Sequence, residues 1–331
     1  MDYQFKNLVF EGGGVLGTAY LGAAQVLDEK GILKNIERVG GTSAGAIYAV
    51  VTGLNYSLAE TTEILWKMDF NKFMDSSFGI IRNTNRLLNE FGWYKGDYFL
   101  TWIKNIIKQK TGSAETTFAQ LEQLKQQHGF RSIYLIGSNL STGFSEVFSA
   151  ETTPNMTIAE AVRISMSIPL FFASRKVNND TYVDGGTQLN YAIKLFDRKK
   201  YLTTNNFIET EYYQSLNTSA EGNYQVDYVY NKETLGFKLS SRENIDIFWH
   251  KKPPAHTKIN DIFDYLKQLV GAVMNVQADV HLHSDDWARS IYIDTLGVSA
   301  INFDLTDNNK QQLVESGKQG TLTYFNWFDN K

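Results

Sequence analysis

A serine between two glycines is the first group in this sequence that could carry out covalent chemistry. Ser43 lies in a G-x-S-x-G motif with Gly41 and Gly45, between a predicted strand over residues 36–40 and a predicted buried helix over residues 44–52. A serine on such a tight strand-to-helix turn forms a nucleophile elbow, which presents its hydroxyl at the end of the strand. The helix that follows directs its positive end at an oxyanion formed there. Because a glycine-rich junction without chemistry has the same pattern, the neighbouring motifs must decide.

A glycine loop precedes the serine motif. Four glycines follow a predicted strand over residues 7–10 and lead into a predicted helix over residues 18–30. They are Gly12, Gly13, Gly14 and Gly17. The loop suits either the phosphates of a dinucleotide or an oxyanion held by successive backbone amides. A dinucleotide site requires an acidic residue at the end of the second strand, but that strand ends at Ser43. An oxyanion hole beside a nucleophile accounts for both motifs.

A nucleophilic serine needs a general base, and Asp184 is the best candidate in the sequence. It ends a predicted hairpin strand and precedes Gly185 and Gly186, so a tight turn presents its carboxylate. Asp-Gly is also an ordinary β-turn, and it is the other two motifs that favour a catalytic role. A carboxylate is a weak base at its reference pKa of about 3.9, and we expect partial burial to raise the pKa of Asp184.

No histidine or metal constellation competes with this interpretation. None of the five histidines stands in a setting typical of a catalytic triad. His281 and His283 could bind a metal, but residues two apart on a helix face different sides, and we predict no metal site and no cofactor. The sequence has no cysteine, which excludes disulfides, a thiol nucleophile and thiolate-bound metals.

Composition narrows the class of protein. The chain has 331 residues, 43% of them hydrophobic, and a net charge of −4, which does not favour nucleic acid as a partner. The N-terminus lacks the pattern of a signal peptide. The uncharged run over residues 39–58 contains the elbow and several polar residues, so we interpret it as buried α/β structure and not as a transmembrane segment. We expect a cytoplasmic protein, and its aromatic content of 14% suggests peripheral contact with a membrane surface.

The elements that must position these residues alternate between strand and helix. This alternation predicts an α/β fold with a mostly parallel central sheet, in a single domain over residues 1–331. Two segments depart from the pattern. Residues 70–93 are apolar without a clear period, which indicates either a lid over the site or a satellite hydrophobic cluster. Residues 197–233 are polar with little period and predict a long, irregular excursion or a mobile loop.

Other elements follow from local signals. Ser57 and Glu60 form a capping box that opens a helix. Strands are predicted over residues 132–140 and 145–149 as a hairpin, over 176–183 as a hairpin turning at residues 178–180, and over 290–294. Further helices are predicted over residues 96–110, 118–127, 157–167, 259–283 and 308–325.

The three motifs together resemble the patatin-like phospholipase family. The order and rough spacing agree for G-G-G-x-x-G at residues 12–17, G-x-S-x-G at residues 41–45 and D-G-G at residues 184–186. The resemblance implies a three-layer α/β/α fold. It also implies calcium-independent hydrolysis of acyl esters in phospholipids and related lipids, of the phospholipase A or lysophospholipase type.

The same resemblance implies a Ser–Asp dyad in place of a triad. Ser43 would be the nucleophile, Asp184 the base, and the main chain around Gly13 and Gly14 the oxyanion hole. Two departures from the family pattern, Leu16 in place of a basic residue and no proline after Asn190, bear on head-group preference. Three other functions stay open. They are acyl transfer to an alcohol, a catalytically silent lipid-binding or signalling module, and a dinucleotide-binding oxidoreductase.

Overall fold

The computed structural model describes residues 3–74, 86–87, 89–219, 227–241, 253, 256–261, 264–265, 268–269, 271–273 and 285–331. The strands in these residues are β1 (Asn7–Phe10), β2 (Arg38–Thr42), β3 (Gly92–Tyr94), β4 (Ser132–Asn139), β5 (Phe144–Phe148), β6 (Leu170–Phe172), β7 (Arg175–Val177), β8 (Asp180–Asp184), β9 (Phe207–Ile208), β10 (Tyr230–Asn231), β11 (Thr234–Ser240) and β12 (Ser290–Asp294).

The α-helices with both ends in these residues are α1 (Tyr20–Glu29), α2 (Ala44–Gly53), α3 (Leu58–Trp66), α4 (Phe70–Phe73), α5 (Asp97–Thr111), α6 (Phe118–His128), α7 (Ile158–Ser165), α8 (Glu211–Ser219) and α9 (Asp307–Asp329). Short 3-10 helices span Gly14–Ala19, Leu33–Asn35, Gly185–Thr187, Ile193–Phe196, Lys199–Tyr201 and Asp285–Arg289.

The main sheet has eight strands and mixed direction. Its order is β12-β11-β1-β2-β4-β8-β7, and β5 pairs with residues 135–139 of β4. The pairs from β12 to β4 are all parallel, whereas β5, β7 and β8 run antiparallel to their neighbours. A mostly parallel sheet was predicted from the alternation of strands and helices, and the structure confirms it.

Packing on both faces of the sheet produces three layers. Successive side chains of a strand point to opposite faces. Leu8 and Phe10 of β1 accordingly enter the larger core cluster, together with side chains of α1, α2 and α9. Val9 points the other way, into a smaller cluster that includes Ile193 and Phe196. The three-layer α/β/α fold expected from the resemblance is therefore present.

Local sequence signals explain several boundaries. The capping box of α3 forms as predicted, since Ser57 Oγ accepts from the Glu60 amide and the Glu60 carboxylate accepts from the Ser57 amide. The hairpin between β7 and β8 turns at Asn178 and Asn179, whose φ angles are +50° and +72°. Two consecutive positive φ angles are typical of a type I′ turn, and asparagine tolerates that conformation well.

Some predictions of elements were wrong. The strand expected over residues 36–40 instead spans Arg38–Thr42 and reaches the serine directly. The helix expected from residue 18 begins as a 3-10 turn at Gly14–Ala19 before α1 starts. Strand β11 was not predicted, although it lies in the centre of the sheet between β1 and β12. Most of the helix predicted over residues 259–283 lies outside the described residues.

The segment over residues 197–233 is more regular than its composition suggests. It contains α8 and the antiparallel pair β9–β10. A buried ion-pair cluster anchors it, because Arg289 donates to Asp197 at 2.5 and 2.6 Å and to Asp286 at 2.7 Å. Tyr213 of α8 also donates its hydroxyl proton to Asp197. The prediction of a long irregular excursion is therefore wrong for the described part of this segment.

The uncharged run over residues 39–58 is divided between β2, the turn at Ser43 and α2. Among the described residues, no helix combines the length and the apolar character needed to cross a membrane.

Candidate active site

Ser43 occupies the sharp turn between β2 and α2. Its φ and ψ angles are 53° and −123°, a conformation that a residue with a side chain rarely adopts and that structures retain mainly at functional sites. The Ser43 amide donates to Ser165 Oγ at 2.9 Å, which fixes the turn from the side of α7. The side chain is 2% exposed, so the hydroxyl faces the protein interior beside a cavity and not bulk water.

The elbow can form because α2 packs directly against the ends of two strands. A Cβ atom on Gly45 would lie 2.3 Å from the Phe10 carbonyl oxygen, which is far inside van der Waals contact. A Cβ on Gly41 would lie 2.1 Å from the Gly45 carbonyl oxygen. Any larger residue at either place would push the helix away from the sheet and move Ser43 with it.

The glycine loop passes beside the serine. A Cβ on Gly12 would lie 3.1 Å from Ser43 Cβ, and one on Gly17 would lie 3.1 Å from Ala44 Cβ. Gly14 has a φ angle of +54°, and a Cβ there would lie 2.0 Å from the Ala300 carbonyl oxygen. That carbonyl accepts a hydrogen bond from the Val15 amide at 2.9 Å. A loop after β12 therefore holds this part of the glycine loop in place.

Two amides of the loop are free to bind an anion. The Gly12 amide donates to the Asn190 carbonyl, and the Val15 amide is used by Ala300. Within the described part of the chain, the amides of Gly13 and Gly14 donate no hydrogen bond. Unused consecutive amides beside a serine are the arrangement that an oxyanion hole requires.

Asp184 lies at the end of β8 and is 4% exposed. Its Oδ1 accepts from the Gly186 amide at 2.7 Å, whereas its Oδ2 is buried and has no hydrogen-bond partner among the described residues. Burial raises the pKa of Asp184 to about 7, and the nearby Ser43 hydroxyl and the Gly186 amide oppose this rise. The carboxylate is therefore a much stronger base than a solvated aspartate and keeps one oxygen available.

Ser43 and Asp184 face the same cavity. Ser43 Oγ lies 3.6 Å from the Met166 sulfur, within reach of a hydrogen bond, and it also lies close enough to Asp184 to lower the pKa of that carboxyl. The vacant acceptor at Asp184 Oδ2 can receive the Ser43 hydroxyl proton. No histidine is among the described residues that line the cavity.

The cavity itself is mainly apolar, as a site for an acyl chain would be. Its lining residues are Gly14, Ser43, Ile168, Pro169, Leu170, Asp184, Gly186, Thr187, Leu269, Val273, Ala300 and Ile301. The cavity thus brings together four of the residues predicted from the motifs, namely Gly14, Ser43, Asp184 and Gly186. The other predicted glycines do not line it. Gly185, for example, packs against β4, where a Cβ would lie 2.5 Å from the Ile136 carbonyl oxygen.

A buried ion pair behind the glycine loop was not found from the sequence. Glu11, the residue before the loop, accepts from Lys238 Nζ at 3.0 Å and from the Leu239 amide at 2.6 Å. The side chain of Lys238 is fully buried. Asn190 completes the support, because its Nδ2 donates to the Gly12 carbonyl at 3.0 Å. The sequence signal was a lysine in the middle of an apolar stretch, which belongs to the strand that was missed.

The two ends of the predicted lid over residues 70–93 are packed against the body of the protein. Phe70 stacks on Phe303, and Phe73 packs edge-on against Phe99. At the other end, β3 pairs with β6, whose Leu170 lines the cavity. Residues 75–85, with Phe78 and Ile80, lie outside the described residues, so the lid remains a prediction.

Comparison with known proteins agrees with this geometry. The family model described as "Patatin-like phospholipase" matches residues 8–197, which is more than half of the chain. The chain is 29% identical over 320 residues to the uncharacterized protein R571 of Acanthamoeba polyphaga mimivirus, covering 96% of this chain and 92% of that protein. It is 27% identical over 191 residues to the probable lipid hydrolase 463L of Invertebrate iridescent virus 6, covering 58% and 63%.

One solved structure has the same fold at low sequence identity. VipD from Legionella pneumophila superposes with a TM-score of 0.57 at 18% identity, covering 98% of this chain and 67% of that one.

Proposed function

The chain belongs to the patatin-like phospholipase family, and on this basis we propose that it is a serine lipid acyl hydrolase. The reaction would be cleavage of acyl esters of the phospholipase A or lysophospholipase type, through a Ser–Asp dyad and an acyl-enzyme. The single observation that carries this proposal is the buried Asp184, which has an unused carboxylate oxygen and shares an apolar cavity with Ser43.

The residues divide the reaction into two steps. Ser43 Oγ attacks the ester carbonyl carbon while Asp184 Oδ2 takes the hydroxyl proton. The amides of Gly13 and Gly14 hold the negative oxygen of the tetrahedral intermediate, and each donor of this kind contributes about 10²- to 10³-fold in rate. When the intermediate collapses, the leaving alcohol receives the proton from Asp184. Water then attacks the acyl-enzyme with Asp184 again as base, which releases a fatty acid and restores Ser43.

The pKa of about 7 for Asp184 suits this exchange. A base whose pKa lies near the working pH is about half ionised, so it can accept a proton and is still acidic enough to return it. The cavity supports an acyl substrate, because Ile168, Leu170 and Ile301 give it apolar walls. Phospholipids and other acyl-ester lipids are the substrate class that these walls and the family indicate.

Further parts of the proposal concern the setting of the enzyme. We propose that hydrolysis needs neither calcium nor another metal, since the mechanism assigns every step to Ser43, Asp184 and backbone amides. We also propose a cytoplasmic enzyme that meets its substrate at a membrane surface, and that residues 70–93 cover the site during turnover.

The test is hydrolysis of a lipid panel by the wild type and by Ser43→Ala. We expect the wild type to release fatty acid from at least one phospholipid or lysophospholipid. Addition of about 5 mM EDTA, a large excess over trace metal, should not change the rate. Ser43→Ala should be inactive and fold normally, because only a hydroxyl is removed. A folded Ser43→Ala protein with substantial activity would contradict the nucleophile assignment.

Labelling with a fluorophosphonate separates the hydrolase from a catalytically silent lipid-binding module. A hydrolase should be labelled at Ser43, with one phosphonyl group per chain, and Ser43→Ala should not react. A wild-type protein that binds lipids but neither reacts with the probe nor hydrolyses the panel would favour the silent module.

A further inference from the structure

Two exposed apolar side chains lie near the candidate site, on a turn that Gln188, the neighbour of the cavity-lining Thr187, contacts. Leu140 and Phe144 are 54% and 72% exposed, at the two ends of the turn that joins β4 to β5. Single exposed apolar residues are common on protein surfaces. A cluster of them at the edge of a substrate cavity is a stronger indication of an interaction surface.

The turn projects beyond the level of the serine. Strand β4 runs parallel to β2, with Ile136 opposite Thr42, the last residue before Ser43. It then continues for three more residues to Asn139. At about 3.3 Å per residue, the turn over residues 140–144, called the hairpin tip below, begins roughly 10 Å beyond the end of β2.

A third apolar side chain lies on the opposite side of the cavity. Leu296 follows β12 and is 46% exposed. In the sheet order, β12 and β4 lie on opposite sides of β2, so Leu296 and the hairpin tip flank Ser43. The φ angle of Leu296 is +57°, in the left-handed region that a bulky residue rarely adopts. The same loop continues to Ala300 and Ile301, which line the cavity.

The hairpin tip suits an apolar medium because its backbone donors are already used. Its residues carry no charge. All five amides donate within the protein, namely Leu140 to the Thr181 carbonyl, Ser141 and Thr142 to Asn139 Oδ1, Gly143 to the Asn139 carbonyl, and Phe144 to Thr142 Oγ1. Unpaired backbone amides and carbonyls exclude most irregular segments from lipid, and in this turn the amides are all paired. This turn can leave water without exposing any of its own amides.

The hairpin tip is also fixed relative to the base. Gln188 follows the 3-10 turn after Asp184, and its Nε2 donates to the Gly143 carbonyl at 2.7 Å. The position of the tip is therefore set with respect to the carboxylate, as an element that orients the cavity towards a surface would need.

We propose that the hairpin tip and Leu296 dock the protein onto a lipid surface, with the carboxyl ends of the parallel strands facing the lipid. Leu140 and Phe144 would insert among the acyl chains. This inference rests on the proposed function in that the docked surface holds the substrate. Insertion on both sides of the cavity orients its mouth towards the lipid, so that an acyl chain reaches Ser43 without crossing water.

The experiment measures binding to phosphatidylcholine vesicles by flotation, in the Ser43→Ala background so that no lipid is consumed. Burial of a leucine or phenylalanine side chain dominates such insertion, and we expect Leu140→Ser/Phe144→Ser to bind about 10- to 100-fold more weakly. Because apolar side chains make the insertion, vesicle binding should persist in about 1 M salt, roughly tenfold above physiological ionic strength, where interactions between exposed charges are screened. When Ser43 is intact, Leu140→Ser/Phe144→Ser should change the rate of hydrolysis of a short soluble ester by less than about twofold. This result keeps the test separate from that of the proposed function.

A matched control is available at the amino ends of the parallel strands, away from the hairpin tip. Tyr212 and Leu216 of α8 are 54% and 36% exposed. Arg289, directly before β12, holds this region at the amino ends of the parallel strands through Asp197 and Tyr213. Tyr212→Ser/Leu216→Ser should therefore bind vesicles like the parent protein.

Four results would overturn the inference. They are unchanged vesicle binding by the hairpin variant, an equal loss in the α8 control, loss of binding in high salt, and a fall in melting temperature and soluble-ester activity together. A second variant guards against a folding artefact. Phe144→Trp keeps an apolar tip, and its added fluorescence should be quenched by brominated lipid. If the hairpin variant instead abolishes self-association while vesicle binding is unchanged, the tip contacts a second copy of the chain and lipid docking is wrong.

Discussion

Two buried carboxylates lie close to the glycine loop, and their surroundings differ in one decisive respect. Glu11 is paired with the fully buried Lys238 and accepts from the Leu239 amide. Among the described residues, Asp184 has no cation beside it, accepts one amide hydrogen bond through Oδ1, and leaves Oδ2 without a partner. The negative charge of Glu11 is therefore balanced by a cation, whereas Asp184 keeps an acceptor oxygen that can take a proton.

This difference explains why the same type of group can serve as support at one place and as a base at the other. Burial of an unpaired carboxylate disfavours its charged form, and the pKa of Asp184 rises to about 7. A buried carboxylate with a cation and amide donors has its charge balanced, and its role is to hold the backbone that carries it. Substitution of Asp184 should accordingly lower mainly the activity, whereas disruption of the Glu11 pair should lower mainly the stability.

The largest effect is expected from Asp184→Asn. Asparagine has nearly the same shape but cannot accept the Ser43 proton, so we expect hydrolysis to fall by about 10⁴-fold, as for other residues that act as a unit with a nucleophile. The initial rate on the best lipid of the panel measures this. An Asp184→Asn enzyme within tenfold of wild type would remove Asp184 from the mechanism.

Lys238→Met should act on structure first. It leaves the Glu11 carboxylate buried without its cation, which costs about 3–5 kcal/mol when one partner of such a pair is removed. Urea unfolding measures the loss. Glu11→Gln/Lys238→Met removes both charges and should recover most of this stability, with a reduced kcat and an unchanged KM if the pair positions the Gly13 and Gly14 amides. Full activity in the double variant would show that the pair has no part in positioning.

Asp184→Asn should also stabilise the protein, in a pH window that follows from its pKa. The folded-state pKa of about 7 lies above the ordinary value of 3.8, so between these values the folded chain retains a proton that the unfolded chain has lost. Wild-type stability therefore falls as pH rises from about 4 to 7, by up to about 4 kcal/mol. Urea unfolding of Asp184→Asn should show a gain at pH 8 that disappears near pH 4. Equal stability at both pH values would contradict the burial of an unpaired charge.

The smallest effect is expected from the histidines. His128 stacks on Phe130, and the cavity has no histidine among its described lining residues. Single alanine substitutions at His128, His250, His256, His281 and His283 should each change kcat/KM by less than about twofold, because the mechanism gives no histidine a role. A histidine whose loss silences the enzyme would show that a triad is present.

Much of the fold could be predicted from the sequence because its signals are local. The turn at Asn178 and Asn179, the capping box at Ser57 and the strand over residues 7–10 each depend on a few adjacent residues. Ser43 and Asp184 were singled out for the same reason, since a glycine turn marks each of them. The structure brings both to one cavity, which agrees with the prediction without testing their chemistry.

The features that were missed depend on contacts between distant parts of the chain. Lys238 in a central strand looks unfavourable until Glu11, more than 200 residues away, is placed beside it. Polar composition likewise concealed the order in residues 197–233, where buried Asp197 meets Arg289, which lies 92 residues further along the chain. The position of Ser43 Oγ beside the Met166 sulfur depends on how α7 packs, which no local pattern indicates.

The most direct test of the central claim, that Asp184 is the base for Ser43, is the pH dependence of Ser43 phosphonylation. The second-order rate constant of fluorophosphonate labelling would be measured for the wild type and Asp184→Asn from about pH 5 to about pH 9, roughly two pH units on either side of neutrality. The wild-type rate should rise with pH through a single ionisation with a pKa of about 7. The Asp184→Asn rate should be much lower and should not follow that ionisation. Equal rates with the same pH dependence in both proteins would contradict the account.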